Sequence, residues 1–293
     1  MRFFIVDAFT THPFGGNTAG VVLLSSRADF PADEWMRLVA AELRYSETAF
    51  VRQDGPAEFT VRYFTPRAEI DLCGHATIAA FGTLFQQGIV PEGTACVNHT
   101  KAGDLEIVPG ETVMMQMNAP QRTGSFEDPD LHAALLQAMG SLRPEDLGSL
   151  PVETISTGLP DIILPVRDNA TLQALQPDME ALTRLSEQLD VVGVHAFASD
   201  SPAGCPIHVR NFAPRYGIPE ESATGTANAA LTGYLYLNGC FGDGATCTFI
   251  QGEAMGRPST ILTRLSLHGS QPDIRVGGPC AIVARGEWNG DNL

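Results

Sequence analysis

The segment from Val61 to Phe85, VRYFTPRAEIDLCGHATIAAFGTLF, is echoed later in the chain as VRNFAPRYGIPEESATGTANAALTGYLY, from Val209 to Tyr236. Val-Arg-x-Phe-x-Pro-Arg recurs at an offset of 209 − 61 = 148. After three additional residues, Gly74-His75-Ala76-Thr77 meets Gly225-Thr226-Ala227-Asn228 at an offset of 225 − 74 = 151. Each copy reads as a strand, a Pro-containing turn, a glycine and an Ala-rich helix. A solenoid needs three or more stacked units, so two copies predict two similar domains instead. Many short strands with one Ala-rich helix per half predict an α+β fold of two pseudo-symmetric domains. Each would be a curved sheet or barrel around a central helix, with the active site in the cleft between them. The composition turns polar near Ala119-Pro120. That places one domain at 1–119, with a C-terminal strand from roughly 275 to 293, and the other at 120–274.

At 293 residues the chain is at the size where one core gives way to two. Apolar residues make up 44% and charged residues 18%, the balance of a globular protein. A net charge of −16 argues against nucleic acid and against anionic membranes, because both demand basic surface. The N-terminus MRFFIVDAF meets Asp7 too early for a signal peptide, and no apolar run approaches the roughly 20 residues of a membrane span. A cytoplasmic protein is expected. The cysteines at 73, 96, 205, 240, 247 and 280 form no Cys-x-x-Cys pair, which suggests free buried thiols.

Along the first half, strands are expected near 3–9, 21–24, 45–51, 58–65, 94–98, 104–108 and 112–118. Helices are expected near 30–43 and 74–87, the first burying Trp35, Leu38 and Val39. The second half adds helices near 129–139 and 177–189, and strands at 161–166, 191–198, 246–250, 260–268 and 273–284. His195-Ala196-Phe197 echoes Asp7-Ala8-Phe9 and hints that the repeat begins earlier.

The chemistry gathers at the two helix starts. Gly74-His75-Ala76-Thr77 and Ala223-Thr224-Gly225-Thr226 leave backbone N–H groups at a helix N-terminus, a setting that suits a small carboxylate. Glu47 stands in a half-buried run, YSETAFV. Walled by apolar Tyr45, Ala49 and Phe50, its pKa would rise and it could move protons near neutrality; otherwise it is an exposed strand glutamate. His75 can donate to a substrate or cap its helix, and Glu220 and Glu221 suit a helix start as capping residues. Lys101 is the only lysine and lies in a polar turn, which argues against Schiff-base chemistry. With no His-Glu-x-x-His and no Gly-x-Gly-x-x-Gly, no metal and no cofactor are expected, and cofactor-free proton transfer remains.

Five ordered motifs, VDAFTTHPFGGNTAGVVLL, YSETAFV, FTPRAEIDLCGHATIAA, NFAPRYGIPEESATGTANAA and QGEAMGRPS, resemble the phenazine-biosynthesis PhzF-like family over nearly the whole chain. The wording is most similar to its YddE-like branch. The resemblance implies a diaminopimelate epimerase-type fold and an isomerase that shifts a proton between carbons of a small carboxylic acid. On that resemblance Glu47 is the catalytic glutamate. Ser46, Gly74, His75, Glu221, Gly225 and Thr226 are the substrate-binding residues. Glu221 stands where the phenazine enzyme has aspartate, Thr226 where it has serine, and Thr18 replaces a proline. Two alternatives stand beside it: a racemase or epimerase pairing Cys73 with a carboxylate, and a non-catalytic small-acid-binding protein. The expected partner is a small carboxylate, with a homodimer as the candidate assembly.

Overall fold

The computed structural model describes residues 1–25, 29–198, 200 and 206–288. The chain divides into two compact units, Met1–Gln116 with Gly277–Leu293, and Met117–Val276.

The first unit starts with β1 (Arg2–Ala8), β2 (Asn17–Leu23), α1 (Asp33–Leu43), β3 (Thr48–Gln53), β4 (Glu58–Phe64) and β5 (Glu69–Ile70). Next come α2 (Gly74–Gln86), β6 (Cys96–Thr100), β7 (Gly103–Val108) and β8 (Val113–Gln116). The chain then runs through β9 (Gln121–Ser125), α3 (Pro129–Ala138), β10 (Glu153–Ser156), β11 (Pro160–Val166), α4 (Asn169–Ala174) and α5 (Met179–Leu189). It continues with β12 (Val194–Ala198), β13 (Ile207–Ala213), β14 (Ile218–Glu221), α6 (Gly225–Leu237), β15 (Thr246–Gln251), β16 (Ser259–His268) and β17 (Gln271–Gly278). The last strand, β18 (Cys280–Glu287), returns to the first unit and pairs with β1.

The repeat is deeper than its sequence signature. In the first unit β1–β2 is antiparallel, β2–β3 parallel, β3–β4 antiparallel, β4–β6 parallel and β6–β7 antiparallel. In the second, β10–β11, β11–β12, β12–β13, β13–β15 and β15–β16 repeat that series of senses. Parallel neighbours need a crossover, and helices supply it: α1 between β2 and β3, α4 and α5 between β11 and β12. By this topology the strand carrying His195-Ala196-Phe197 stands where β3 stands, not β1. Its likeness to Asp7-Ala8-Phe9 is therefore not part of the repeat.

One helix in each unit is buried on nearly every side. From His75 to Leu84 every residue of α2 is buried, and the helix packs against β1, β2, β3, β8 and β18. No solvent-facing stripe is left, which is why the segment reads as Ala-rich rather than amphipathic. A Cβ built on Gly82 would lie 2.0 Å from Cys280 Sγ, so only glycine admits that strand so close. Its repeat counterpart, at 233 − 82 = 151, is Gly233, where a Cβ would lie 2.3 Å from Pro120 Cβ. The outer helices are the amphipathic ones. Trp35, Met36, Val39 and Ala40 of α1 pack on Val22, Phe50 and Phe64, and α3 and α5 cover the second unit's sheet around Leu135, Leu182 and Phe212.

Several expected elements differ. Leu38 is 43% exposed and the buried face of α1 instead includes Met36. Glu47 is not inside a strand: β3 begins one residue later, at Thr48. The run 273–284 is two strands, β17 and β18, divided at Pro279, which has no N–H for a ladder. Of the cysteines, 73, 96, 240 and 280 are free thiols while Cys247 is disulfide-bonded, a correction to the expectation of thiols throughout; Cys205 lies outside the described residues. Among the described residues no helix is long and apolar enough to cross a membrane.

Candidate active site

In the first unit, three segments distant in sequence meet at the start of α2. Helix α1 ends at Arg44, whose left-handed backbone (φ 63°) turns the chain toward β3. The Gly20 N–H donates to the Glu47 carbonyl at 3.1 Å and fixes that turn against β2. Glu47 points inward, its side chain 13% exposed, with Oε2 3.1 Å from His75 Nε2. His75, only 5% exposed, sits in the first turn of α2. Cys73 Sγ lies 3.4 Å from its Nδ1 and 3.8 Å from its Nε2, and Ser46 Oγ lies 3.5 Å from Nε2. Gly74 opens the helix, and the residue before it, Cys73, makes no side-chain cap. A Cβ on Gly74 would approach only Met115 Cε, at 3.8 Å, so packing does not demand the glycine.

Asn17 and Asp7 belong to this cluster and were missed from sequence. Asn17 Nδ2 approaches His75 Nδ1 at 3.3 Å. Buried Asp7 anchors the segment from which Asn17 projects: Oδ2 accepts the Phe14 N–H at 2.7 Å and Oδ1 accepts the Thr18 hydroxyl. An aspartate eight residues before Gly15-Gly16, with Asn17-Thr18 beyond them, was the available signal, since short polar side chains lock such turns.

The electrostatics reverse one expectation. Tyr45 is only half-buried and Phe50 packs against α1, so the walls of Glu47 are largely polar. Burial pushes its carboxyl up, but the close His75 ring and its charge, together with Ser46 and Cys73, outweigh that. The carboxyl is held below its ordinary value. Burial pushes His75 down, while Cys73 and Glu47 raise it well above the usual imidazole range. Cys73 is itself raised by burial, so at neutral pH it is a thiol and the anion facing His75 is the Glu47 carboxylate. Asn17's NH2 at Nδ1 favours a neutral ring, whereas the carboxylate favours the cation. A full charge at 3.1 Å outweighs an amide that can present either end. The approach at Nε2 is not in line with a ring N–H, and Oε2 is left buried without an aligned donor.

In the second unit, Glu221, Gly225 and Thr226 meet at the start of α6. Thr224, the residue before the helix, spends its hydroxyl on Glu221 Oε2 (2.8 Å) and Asn211 Oδ1 (3.2 Å) rather than on a cap. Gln251 braces the turn, accepting the Thr224 N–H at 3.1 Å and donating to the Glu221 carbonyl at 2.8 Å. Thr157 Oγ1 donates to the Thr226 carbonyl at 3.3 Å, setting the β10–β11 turn on the first turn of the helix. Glu220 is held by the Arg210 guanidinium through two bonds of 2.8 Å, and Glu221 takes the Thr224 hydroxyl. Asp161, read from sequence only as the start of an apolar strand, is 2% exposed with Oδ1 unpartnered. Burial and then the charge of Glu221 push its carboxyl up to about 8, so at pH 7 it is largely protonated.

The two sites are not chemical twins. The Ile162 N–H donates to the Gly193 carbonyl at 3.0 Å, as Gly20 does to Glu47, so Gly193 is the counterpart of Glu47. A Cβ on Gly193 would lie 1.8 Å from the Phe212 carbonyl oxygen, which forbids any side chain there. Cys73 likewise corresponds to Thr224, at an offset of 224 − 73 = 151.

The family model for phenazine biosynthesis-like proteins matches residues 6–286. The chain belongs to that family. It is 33% identical to the "uncharacterized isomerase YddE" of Salmonella typhimurium, over 97% of this chain and 96% of that one. It is 36% identical to an "uncharacterized isomerase" of Deinococcus radiodurans, over 99% and 95%. Among solved structures it resembles a phenazine biosynthesis protein of the PhzF family from Bacillus anthracis, with a TM-score of 0.85, 29% identity and 98% of each chain covered. A probable proline racemase from Agrobacterium radiobacter shares the fold, with a TM-score of 0.63 at 15% identity, covering 99% of this chain and 93% of that one. Several of these relatives are named isomerases, and the chain is an enzyme of that class.

Proposed function

We propose that this family member is a cofactor-independent isomerase that shifts a proton within a small carboxylic acid, with Glu47 carrying the proton. The observation that supports this most is the buried Glu47 Oε2, 3.1 Å from His75 Nε2 and without an aligned donor. Such an oxygen has its basicity directed inward, toward a C–H bond brought to it. In the proposed cycle the carboxylate takes a proton from a carbon activated by the substrate's own carboxylate or unsaturation. The electron pair left behind is delocalised, and the Glu47 carboxyl returns the proton to another carbon of the same molecule. One C–H bond breaks and one forms, with no net change in atoms or charge. The His75 N–H stabilises the transient anion, and the first turn of α2 at Gly74 and His75 adds the field of a helix N-terminus. Ser46 holds the acid's polar edge. Glu221, Gly225 and Thr226 are the proposed binding groups of the second unit.

A second reading, an epimerase that uses the Cys73 thiol, rests on Sγ lying 3.4 Å from His75 Nδ1. It is disfavoured because burial raises that thiol and its counterpart is Thr224. A thermal-shift screen of cyclic, aromatic and amino carboxylic acids, followed by proton NMR of each hit with enzyme in D2O, separates the two. Deuterium entering a new carbon with loss at another supports the isomerase. Exchange with inversion at one stereocentre supports the epimerase, and binding without exchange supports a small-acid-binding protein.

A further inference from the structure

Beneath the start of α6 lies a buried polar network that the proton transfer does not use. Side chains alternate along β12: Val194, Ala196 and Ala198 join the core under α3 and α5, so His195 and Phe197 face α6. Phe197 meets the ring of Tyr234 there, at 5.8 Å between centroids. His195 is fully buried, and an amide stands at each of its ring nitrogens. Nδ1 lies 3.3 Å from Asn211 Nδ2, and Nε2 lies 3.4 Å from Asn228 Oδ1.

The amides are not free to turn. Asn228 Nδ2 donates to the Thr224 carbonyl and to Gln251 Oε1, both at 2.9 Å, so its oxygen is the end left for the ring. Nε2 therefore carries a proton. Burial pushes His195 down to about 4, against the bond to Asn228 that raises it, so the ring is neutral and Nδ1 offers only a lone pair. Asn211 must then turn its NH2 to Nδ1 and its oxygen to the Thr224 hydroxyl, which lies 3.2 Å away. That hydroxyl is also 2.8 Å from Glu221 Oε2. On the other side Gln251, held by Asn228, donates to Thr224 Oγ1 at 3.1 Å and to the Glu221 carbonyl at 2.8 Å. Two routes from one imidazole converge on Thr224 and Glu221. On the reading of Glu221 as a binding group of the second unit, we propose that His195 is its positioning residue. The neutral ring, protonated at Nε2, fixes both amides and through them the Thr224 hydroxyl and the Glu221 carboxylate.

Filling the core does not require this arrangement. His195 and Asn211 are a cross-strand pair, and their counterparts in the first unit are the pair Ala49 and Tyr63. There one phenol spans the gap and meets Thr77 Oγ1 at 2.6 Å, Thr77 being the counterpart of Asn228 at 228 − 77 = 151. The second unit fills the same gap with two hydrogen-bonding side chains and carries the contact on to Glu221. Such a network is costly unless every member is satisfied, and a satisfied one specifies a single arrangement of its groups.

Two measurements need no turnover, so they can succeed or fail apart from the isomerase reading. In protein carrying 15N-labelled histidine, the His195 ring, assigned through its own backbone, should show Nε2 protonated and Nδ1 bare at neutral pH and still a full unit above 4. A cationic ring there, or a proton on Nδ1, would overturn the proposal. Crystal structures of wild type, His195→Leu and His195→Phe give the second measurement, since both variants fill the core and remove both bonds. The Thr224 or Glu221 side chain should leave its wild-type rotamer, by roughly 120° about one χ angle, while α6 and β13 stay in place. Unchanged rotamers in a folded variant would show that His195 only fills space. The wild-type spectrum keeps the proposal open to refutation even where neither variant folds. In a folded variant, KM for the acid that wild type exchanges in D2O should rise roughly tenfold with kcat within about threefold, the scale of lost hydrogen bonds. A fall in kcat at unchanged KM would contradict a role in holding Glu221 for binding.

Discussion

Glu47 and His75 are each other's environment, and the pair sets what either can do. Because His75 holds the carboxyl below its ordinary value, activity that needs the carboxylate should persist into acid. The acid limb of kcat/KM is expected below pH 4.5, the usual value, not near neutrality. A limb near 6–7 would mean that desolvation wins over the imidazole. Asp161 behaves in the opposite way. Its folded-state value of about 8 lies above the unfolded one, so the native state holds an extra proton. Its contribution is most favourable below the unfolded pKa and is lost as pH rises through 8. Asp161→Asn should therefore stabilise the protein increasingly between pH 4 and pH 8, by up to about 1.4 kcal/mol per pH unit. Denaturant melts at pH 5 and pH 8 check this; an equal effect at both would show that Asp161 is ionised in the folded state. Glu47 and His75 were legible from sequence because each stands out against apolar or small neighbours. Asp161 was not, since an aspartate at the head of an apolar strand looks like a strand edge until Oδ1 is seen buried.

At the scale of elements, the two buried helices are what the sheets are built around, and both depend on a glycine in mid-helix. Gly82→Ala would drive a methyl into Cys280 Sγ, and Gly233→Ala into the Pro120 ring. Each should cost about 1–3 kcal/mol, the usual penalty of overpacking, despite alanine's better helix propensity. Urea titration measures it; a gain in stability from either change would show that the neighbouring strand or proline yields freely. The helices themselves were readable as Ala-rich repeats, and the outer helices α3 and α5 by their periodicity. Strands β9 and β10 and helix α4 were not. QRTGS and ETIS are short and polar, and NATLQA is a single capped turn and a half, held by Asp168 accepting the Thr171 N–H. Pairing partners, not local propensity, make these elements.

For the whole molecule, one topology is used twice and one chemistry once. The repeat visible between Val61 and Tyr236 extends through matching strand senses from β1 to β7 and from β10 to β16, which no sequence identity displays. Yet Glu47 is answered by Gly193 and Cys73 by Thr224, so the second unit's counterpart positions carry neither the carboxylate nor the thiol. A side chain at Gly193 is barred by the Phe212 carbonyl. Gly193→Ala should unfold the second unit's strand crossing, detected as a loss of cooperative melting. A native-like melt would mean the β11–β13 crossing is looser than its hydrogen bonds suggest. The account stands most directly on the proton carried by Glu47. The measurement is deuterium wash-in from D2O into the acid found by thermal shift, compared between wild type and Glu47→Gln at matched ligand saturation. Glutamine keeps the size and the contact with His75, so the variant should melt within a few degrees of wild type and still bind the acid. Its exchange should fall by at least about 10²–10⁴-fold, the scale of a lost acid–base group. Exchange at a rate near wild type in the folded, ligand-bound variant would contradict the assignment of Glu47.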